Sequence, residues 1–169
     1  PLEKVDSELR RRAKAVNFGI IYGISDFGLA RQTGVTRQEA GQYIKEYLDS
    51  YPGVKRYMEE VVQFGIEKGY VETVLKRRRY LPDLRAKNKM VQSFARRMAL
   101  NTPIQGTAAD IIKMAMLNLD RELCERGLPA AMILQVHDEL VLEVPCEALS
   151  ELAALTQQTM ASAFPLDVT

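Results

Sequence analysis

Cysteine and histidine are scarce in this sequence. Cys124 and Cys146 stand 22 positions apart with no CxxC pair, and the 169 residues hold one histidine. Such scarcity excludes a disulfide-stapled framework and argues against a zinc site. It fits a reducing, cytoplasmic setting in which both thiols stay unbridged. No apolar run approaches the ~18 residues that cross a bilayer, so no membrane partner is expected. The opening PLEKVDSELRRR has no apolar h-region, and a secretory signal is not expected there. Internal repeats and low-complexity linkers are absent too. What is present is 47% hydrophobic residues over a length sufficient for one ordinary domain with a real core.

The net charge of +1 conceals an asymmetry. Residues 1–100 carry 20 Lys/Arg against 12 Asp/Glu, whereas residues 101–169 carry 3 against 10. A basic front suits a polyanion, and an acidic back suits cations.

Helical signals dominate. Val5-Asp6-Ser7 reads as an N-cap region for a helix ending at Gly23. Thr36-Arg37-Gln38-Glu39 fits a capping box, and the helix it opens places Tyr43, Tyr47 and Tyr51 on one face, read here as core stripe. Pro52-Gly53 stops it, and a further helix with Val54, Tyr57, Met58, Val61 and Val62 runs to Gly69. GYVETVL followed by Lys76-Arg77-Arg78-Arg79 predicts an exposed strand or loop. After a helix through Met90, Phe94 and Met98, Thr102-Pro103 predicts a fresh or kinked helix start. AAMILQV and LVLEV predict a β-hairpin joined by His137-Asp138-Glu139, although the tip lacks Asn-Gly chemistry. A helix from about Glu147 to Phe164 and an extended piece from Pro165 complete the chain. The expected class is α+β, with a mostly helical region over 1–102 and a smaller part over 103–169 built on an antiparallel hairpin.

RRRAKAVNFGIIYG, residues 10–23, crowds like charges that repel on a helix. Every fourth residue drifts only about 40° around the axis, so Arg10, Lys14, Phe18 and Tyr22 line one face over about 18 Å. That order of cation, cation, ring, ring matches a nucleoside triphosphate, with its phosphates at one end and sugar and base at the other. An amphipathic surface helix with solvated cations is the competing reading of spacing alone.

The same stretch resembles motif B of the family A DNA polymerases, R-x3-K-x3-F-x3-YG within N-F-G-x-x-Y-G, through Arg10, Lys14, Phe18, Tyr22 and Gly23. LQVHDELVLEVP resembles that family's motif C, and RRMALNTPIQGTAADIIK resembles the segment between them. The resemblance implies part of a fingers subdomain over 1–102 and part of a palm over 103–169. It implies that Arg10 and Lys14 hold the incoming triphosphate, with Lys14 taking part in catalysis. Phe18 would sit against sugar and base, and Tyr22 at the templating position. Partners implied are dNTPs and primer–template DNA in the bacterial nucleoid.

Asp138 and Glu139, adjacent acids in the acidic half, are the metal-ligand candidates; a solvated Asp-Glu turn is the alternative from two residues alone. Phosphoryl transfer relies on positioning and charge neutralisation, and Mg²⁺ takes one or two protein carboxylates. The resemblance implies two Mg²⁺ ions in a complete enzyme, with Asp138 catalytic. It also exposes a gap: the family's motif A strand, D-Y-S-x-x-E-L-R, has no counterpart here, and no thumb is recognised. The expectation is a fragment with half a metal site, inactive by itself and completed by the remaining polymerase chain.

Arg97, Asn101 and Gln105 repeat the four-residue spacing. By resemblance they face the template–primer, with His137 beside the primer terminus. Donors there could test pair geometry without reading sequence, because minor-groove acceptors are similar for every pair. A helix cap for Asn101 and solvation for the others remain open. Arg77 and Arg78, beside Tyr80, form a basic patch suited to DNA phosphates, or a solvated loop. Two rivals accompany the DNA polymerase reading. One is a single-subunit RNA polymerase relative, against which Phe18 and Glu139 argue. The other is a non-catalytic nucleic-acid-binding module.

Overall fold

The computed structural model describes residues 5–166. Local capping chemistry sets the boundaries of its first helices. In α1 (Ser7–Ile21) the Asp6 carboxylate accepts the Leu9 N–H at 2.7 Å, and Gly23 leaves the helix at a φ of +75°. The sequence reading assigned no element to the next stretch, yet α2 (Asp26–Thr33) forms there between a Ser25 N-cap and a left-handed Gly34. Thr36 and Glu39 close the expected capping box of α3 (Arg37–Ser50). Tyr51 ends α3 and also precedes α4 (Pro52–Lys68), whose first residue is a proline with no N–H to leave unpaired.

A two-stranded antiparallel hairpin follows, β1 (Tyr70–Glu72) with β2 (Arg78–Tyr80), so the basic run forms one strand and its turn. A 3₁₀ turn at Pro82–Arg85 leads into α5 (Lys89–Arg126). Of the new or kinked helix expected at Thr102-Pro103, the new start is corrected, because α5 runs continuously through Pro103. Thr102 caps nothing; its hydroxyl turns backward and donates to the Met98 carbonyl at 2.7 Å. Proline deprives one carbonyl of its helical donor. Burial of Ala95, Ala99 and Leu100 in the preceding turns holds the helix despite that loss.

The chain divides into two compact units between Gly106 and Thr107, inside α5, whereas the sequence placed the boundary at 102/103. In the first unit, Val71, Leu81, Leu84, Ala95 and Ala99 form the core under Val61, Val62 and Ile66. In the second, Leu119 and Leu123 of α5 pack with Leu152 and Leu155 of α6 (Leu149–Ala161). That helix is shorter than expected, a 3₁₀ turn at Cys146–Ala148 taking its first residues. Pro165 and Leu166 have no regular structure, and the rest of the expected extended piece lies outside the described residues.

The second unit's sheet is the antiparallel pair β3 (Ala131–Val136) and β4 (Glu139–Glu143). Met132, Leu140 and Leu142 face its core. Pairing shifts between Met132 and Leu134, so Ile133 is an extra residue. A one-residue insertion reverses which face later side chains take. Leu134 therefore pairs with Val141 on the face away from the core, and both are exposed.

Candidate nucleic-acid interface

The α1 sequence sorts its cations by position. Glu8 lies three and four residues before Arg11 and Arg12, the spacing at which helical side chains meet. Its carboxylate accepts from Arg11 Nε and Nη2, each at 2.8 Å, and from Arg12 Nε at 2.9 Å. These hydrogen bonds hold the Glu8 carboxyl at about 2 and raise Arg11 above its ordinary value. Arg10 and Lys14 are exposed, and among the described residues no carboxylate lies within ion-pair distance of either. The charge crowding is thus half relieved from within, by a residue the sequence reading overlooked although its spacing was visible. Two cations remain unanswered.

Phe18 and Tyr22 continue the same side of the helix. Their ring centroids are 6.2 Å apart and their planes differ by 21°, a stacked pair with Phe18 half exposed. Tyr22 sits just beyond the last helical residue, as the C-cap. Ala15 and Ile20 are the buried residues of α1.

The tyrosine stripe of α3 is not core, correcting the expectation. Tyr43 and Tyr51 are exposed and, with Tyr47, line a groove of about 480 Å³ against Ala13, Val16 and Asn17 of α1. The Tyr47 hydroxyl donates to Asn17 Oδ1 at 2.7 Å. Helical spacing says which side chains share a face, not whether a neighbour covers it.

On the β1–β2 hairpin the basic residues engage protein groups. Arg77 Nη2 donates to the Gly106 carbonyl at 3.0 Å. Arg78 lies over the Tyr70 ring, 4.5 Å from its centroid, with Glu72 at 4.0 Å, and Lys76 pairs with Glu72 at 2.8 Å. Arg79 and Tyr80 are exposed. In α5, Arg97 is exposed with its guanidinium 5.8 Å from the Phe94 centroid, and Gln105 is exposed. Asn101 Oδ1 is buried and, among the described residues, has no hydrogen-bond donor in reach. An unpaired buried acceptor costs about 1–3 kcal/mol, so this atom is expensive to keep unless something supplies a donor.

In the second unit, the hairpin tip is tighter than expected. Only His137 and Asp138 form the turn, and Glu139 already pairs with Val136 as the first residue of β4. His137 has a φ of +56°, in the left-handed region that favours glycine. The Gln135 side-chain amide donates to the His137 carbonyl, tying the tip to β3. His137, Asp138 and Glu139 are all exposed. Two adjacent carboxylates match what Mg²⁺ draws from a protein. Among the described residues no third His, Cys, Asp or Glu joins them into a metal-holding group.

Known proteins are similar to this chain. The sequence pattern of DNA polymerase family A matches residues 1–169. DNA polymerase I of Bacillus caldotenax is 55% identical over 166 residues, 98% of this chain and 19% of that protein. DNA polymerase I of Pseudomonas aeruginosa is 51% identical over 168 residues, 99% of this chain and 18% of that protein. The chain thus spans about a fifth of the length of these curated relatives. A solved POL domain of Pol1 from M. smegmatis, in complex with DNA primer-template and dNTP, matches with a TM-score of 0.92 and 47% identity. The match covers 99% of this chain and 30% of that one. The chain belongs to DNA polymerase family A.

Proposed function

We propose that this chain carries the nucleotide-binding face and one carboxylate pair of an enzyme that extends primers on a DNA template. The observation carrying the reading is the division of labour along α1: Glu8 answers Arg11 and Arg12, while among the described residues no carboxylate pairs with Arg10 or Lys14, on the side of the Phe18–Tyr22 stack. Arg10 offers a planar fork and Lys14 a point charge to the triphosphate, and Lys14 balances charge on the departing pyrophosphate. Phe18 packs on sugar and base, and Tyr22 borders the templating position. The primer 3′-oxygen bonds to the α-phosphorus as the bond to pyrophosphate breaks and the hydroxyl proton leaves.

Arg97, Asn101, Gln105 and His137 are assigned to the template–primer, the buried Asn101 acceptor gaining a donor on binding. Arg77 and Arg78 add phosphate contacts only after giving up part of their internal partners, which ranks them below Arg97. Asp138 and Glu139 hold divalent metal, with Mg²⁺ the proposed ion and two ions in the complete site. When bound, such ions neutralise phosphate charge and favour the attacking oxygen. Bacterial relatives support the nucleoid as the proposed place of action.

Asp138→Ala in the complete polymerase tests the assignment: primer extension disappears while primer–template affinity stays within about threefold. Substantial turnover by that variant refutes the metal role. The 169-residue chain by itself, with two carboxylates and, among the described residues, no third ligand beside them, extends no primer in the same assay.

A further inference from the structure

Between Thr102 and Gly106, α5 is built from poor helix material. Thr102 bonds backward to the Met98 carbonyl, Pro103 lacks the N–H that the Ala99 carbonyl would use, and Gly106 has no side chain to restrain its backbone. Proline and glycine are the two weakest helix formers, and proline is where helices bend. Gln105, which is exposed, stands between them. The turn of the β1–β2 hairpin is seated on this stretch, within the first unit. Thr73 is buried, and a Cβ added to Gly106 would stand 2.7 Å from its Cγ2 methyl, so glycine alone permits the approach. Arg77 Nη2 donates to the Gly106 carbonyl at 3.0 Å, a charge-assisted bond across 29 positions of sequence. The turn is itself closed. The Thr73 N–H donates to the Arg77 carbonyl at 3.0 Å, the Arg77 N–H donates to Thr73 Oγ1 at 3.2 Å, and Lys76 pairs with Glu72 at 2.8 Å.

Val71 and Leu81 already anchor the hairpin in the core of the first unit, so the contacts at Gly106 are not needed to dock it. They act on α5, restraining the turn that its own sequence leaves soft. We infer that Thr73 and Arg77 are positioning residues for Gln105, fixing the backbone at Gly106 so that the neighbouring amide meets the minor groove of the template–primer in one place. The inference rests on the assignment of Gln105 to the template–primer and adds residues that act through it. A donor that tests pair geometry discriminates only if it is held, because a side chain on a yielding backbone follows a misplaced acceptor. Neither Thr73 nor Arg77 has to touch a base for this.

The test is single-nucleotide extension by the complete polymerase carrying this segment, on ordinary primer–templates and on ones with 3-deazaguanine in place of a guanine of the terminal pair, in either strand. That base pairs normally but lacks a minor-groove acceptor. Loss of one such hydrogen bond lowers kcat/KM about three- to tenfold for the unaltered protein. Gln105→Ala abolishes the penalty at the position its amide reaches. Arg77→Ala brings the same penalty below about twofold, the coupling expected of two groups acting as a unit. Thr73→Ser removes the methyl against Gly106, keeps the hydroxyl and shrinks the penalty as well. This milder change keeps the fold, as thermal unfolding checks, even if Arg77→Ala does not. A merely structural role, or a phosphate contact by Arg77, lowers extension equally on both DNAs and leaves the ratio unmoved. A full penalty in the folded positioning variants, where Gln105→Ala has none, therefore overturns the inference and leaves the Gln105 assignment standing. No penalty in the unaltered protein, or one that Gln105→Ala retains, overturns that assignment and the inference with it.

Discussion

Lys14→Ala isolates the proposed role of the α1 face, because the structure gives Lys14 no other work. Its side chain is exposed and unpaired among the described residues, so its removal leaves folding stability within about 0.5 kcal/mol. A hydrogen bond from a charged donor to phosphate contributes about 1.5–3 kcal/mol. Truncation therefore lowers kcat/KM for the incoming nucleotide between about 10- and 150-fold. The assay is single-nucleotide primer extension by the complete polymerase over a dNTP titration, with thermal unfolding measured on the same preparations. Arg12→Ala is the control. It removes a cation two residues earlier whose charge Glu8 already answers, and the loss stays below about threefold. Equal losses in the two variants would refute the argument, since selective pairing by Glu8 would then have no bearing on nucleotide use. So would a Lys14→Ala defect that simply followed a lowered unfolding temperature.

The Glu8 carboxyl sits at about 2 in the folded chain against an ordinary 4.5. A depressed carboxyl stabilises above its unfolded value and loses that contribution as pH falls through the folded one. Thermal unfolding of the unaltered protein and of Glu8→Gln should differ at neutral pH and converge between about pH 4.5 and 2. Gly23→Ala is destabilising by about 2–3 kcal/mol, measured by denaturant titration: φ is +75°, and an added Cβ would stand 2.8 Å from Leu100 Cδ1. Leu119→Ala empties a fully buried position between α5 and α6 and costs about 3–5 kcal/mol, measured by denaturant titration followed by helical far-UV signal.

The parts of the fold legible in the sequence were those written in local chemistry. The Thr36–Glu39 capping box, the proline opening α4 and the left-handed glycines at 23 and 69 act within a few residues, and each stands where local rules put it. The capped, eight-residue α2 carried the same kind of signal, Ser25 before it and Gly34 after it, but too few apolar positions to show a period. Where tertiary packing decides, local rules failed. Thr102-Pro103 has the form of a helix start, yet buried neighbours on α5 keep the helix intact. The tyrosines of α3 share a face as their spacing requires, but α1 covers it only in part and Tyr43 and Tyr51 stay exposed. For the candidate site, periodicity put Arg10, Lys14, Phe18 and Tyr22 together, and the stacked rings stand where that period puts them. Periodicity could not tell which of the clustered cations were free; that depended on the reach of Glu8. At the acidic tip, strand alternation located the hairpin but not its two-residue turn, nor the bulge at Ile133.

The left-handed backbone at His137 has a meaning for how this molecule trades robustness against capability. An L-residue there carries about 1–2 kcal/mol that glycine would not, and a hairpin selected only to persist would have dropped the side chain. On the proposed metal role, the imidazole kept at the apex one residue before the paired acids puts chemistry ahead of durability at this tip. Its rigidity follows from the same geometry. With no slack in a two-residue connection, the acids sit where the strands aim them, and a binding partner must come to them.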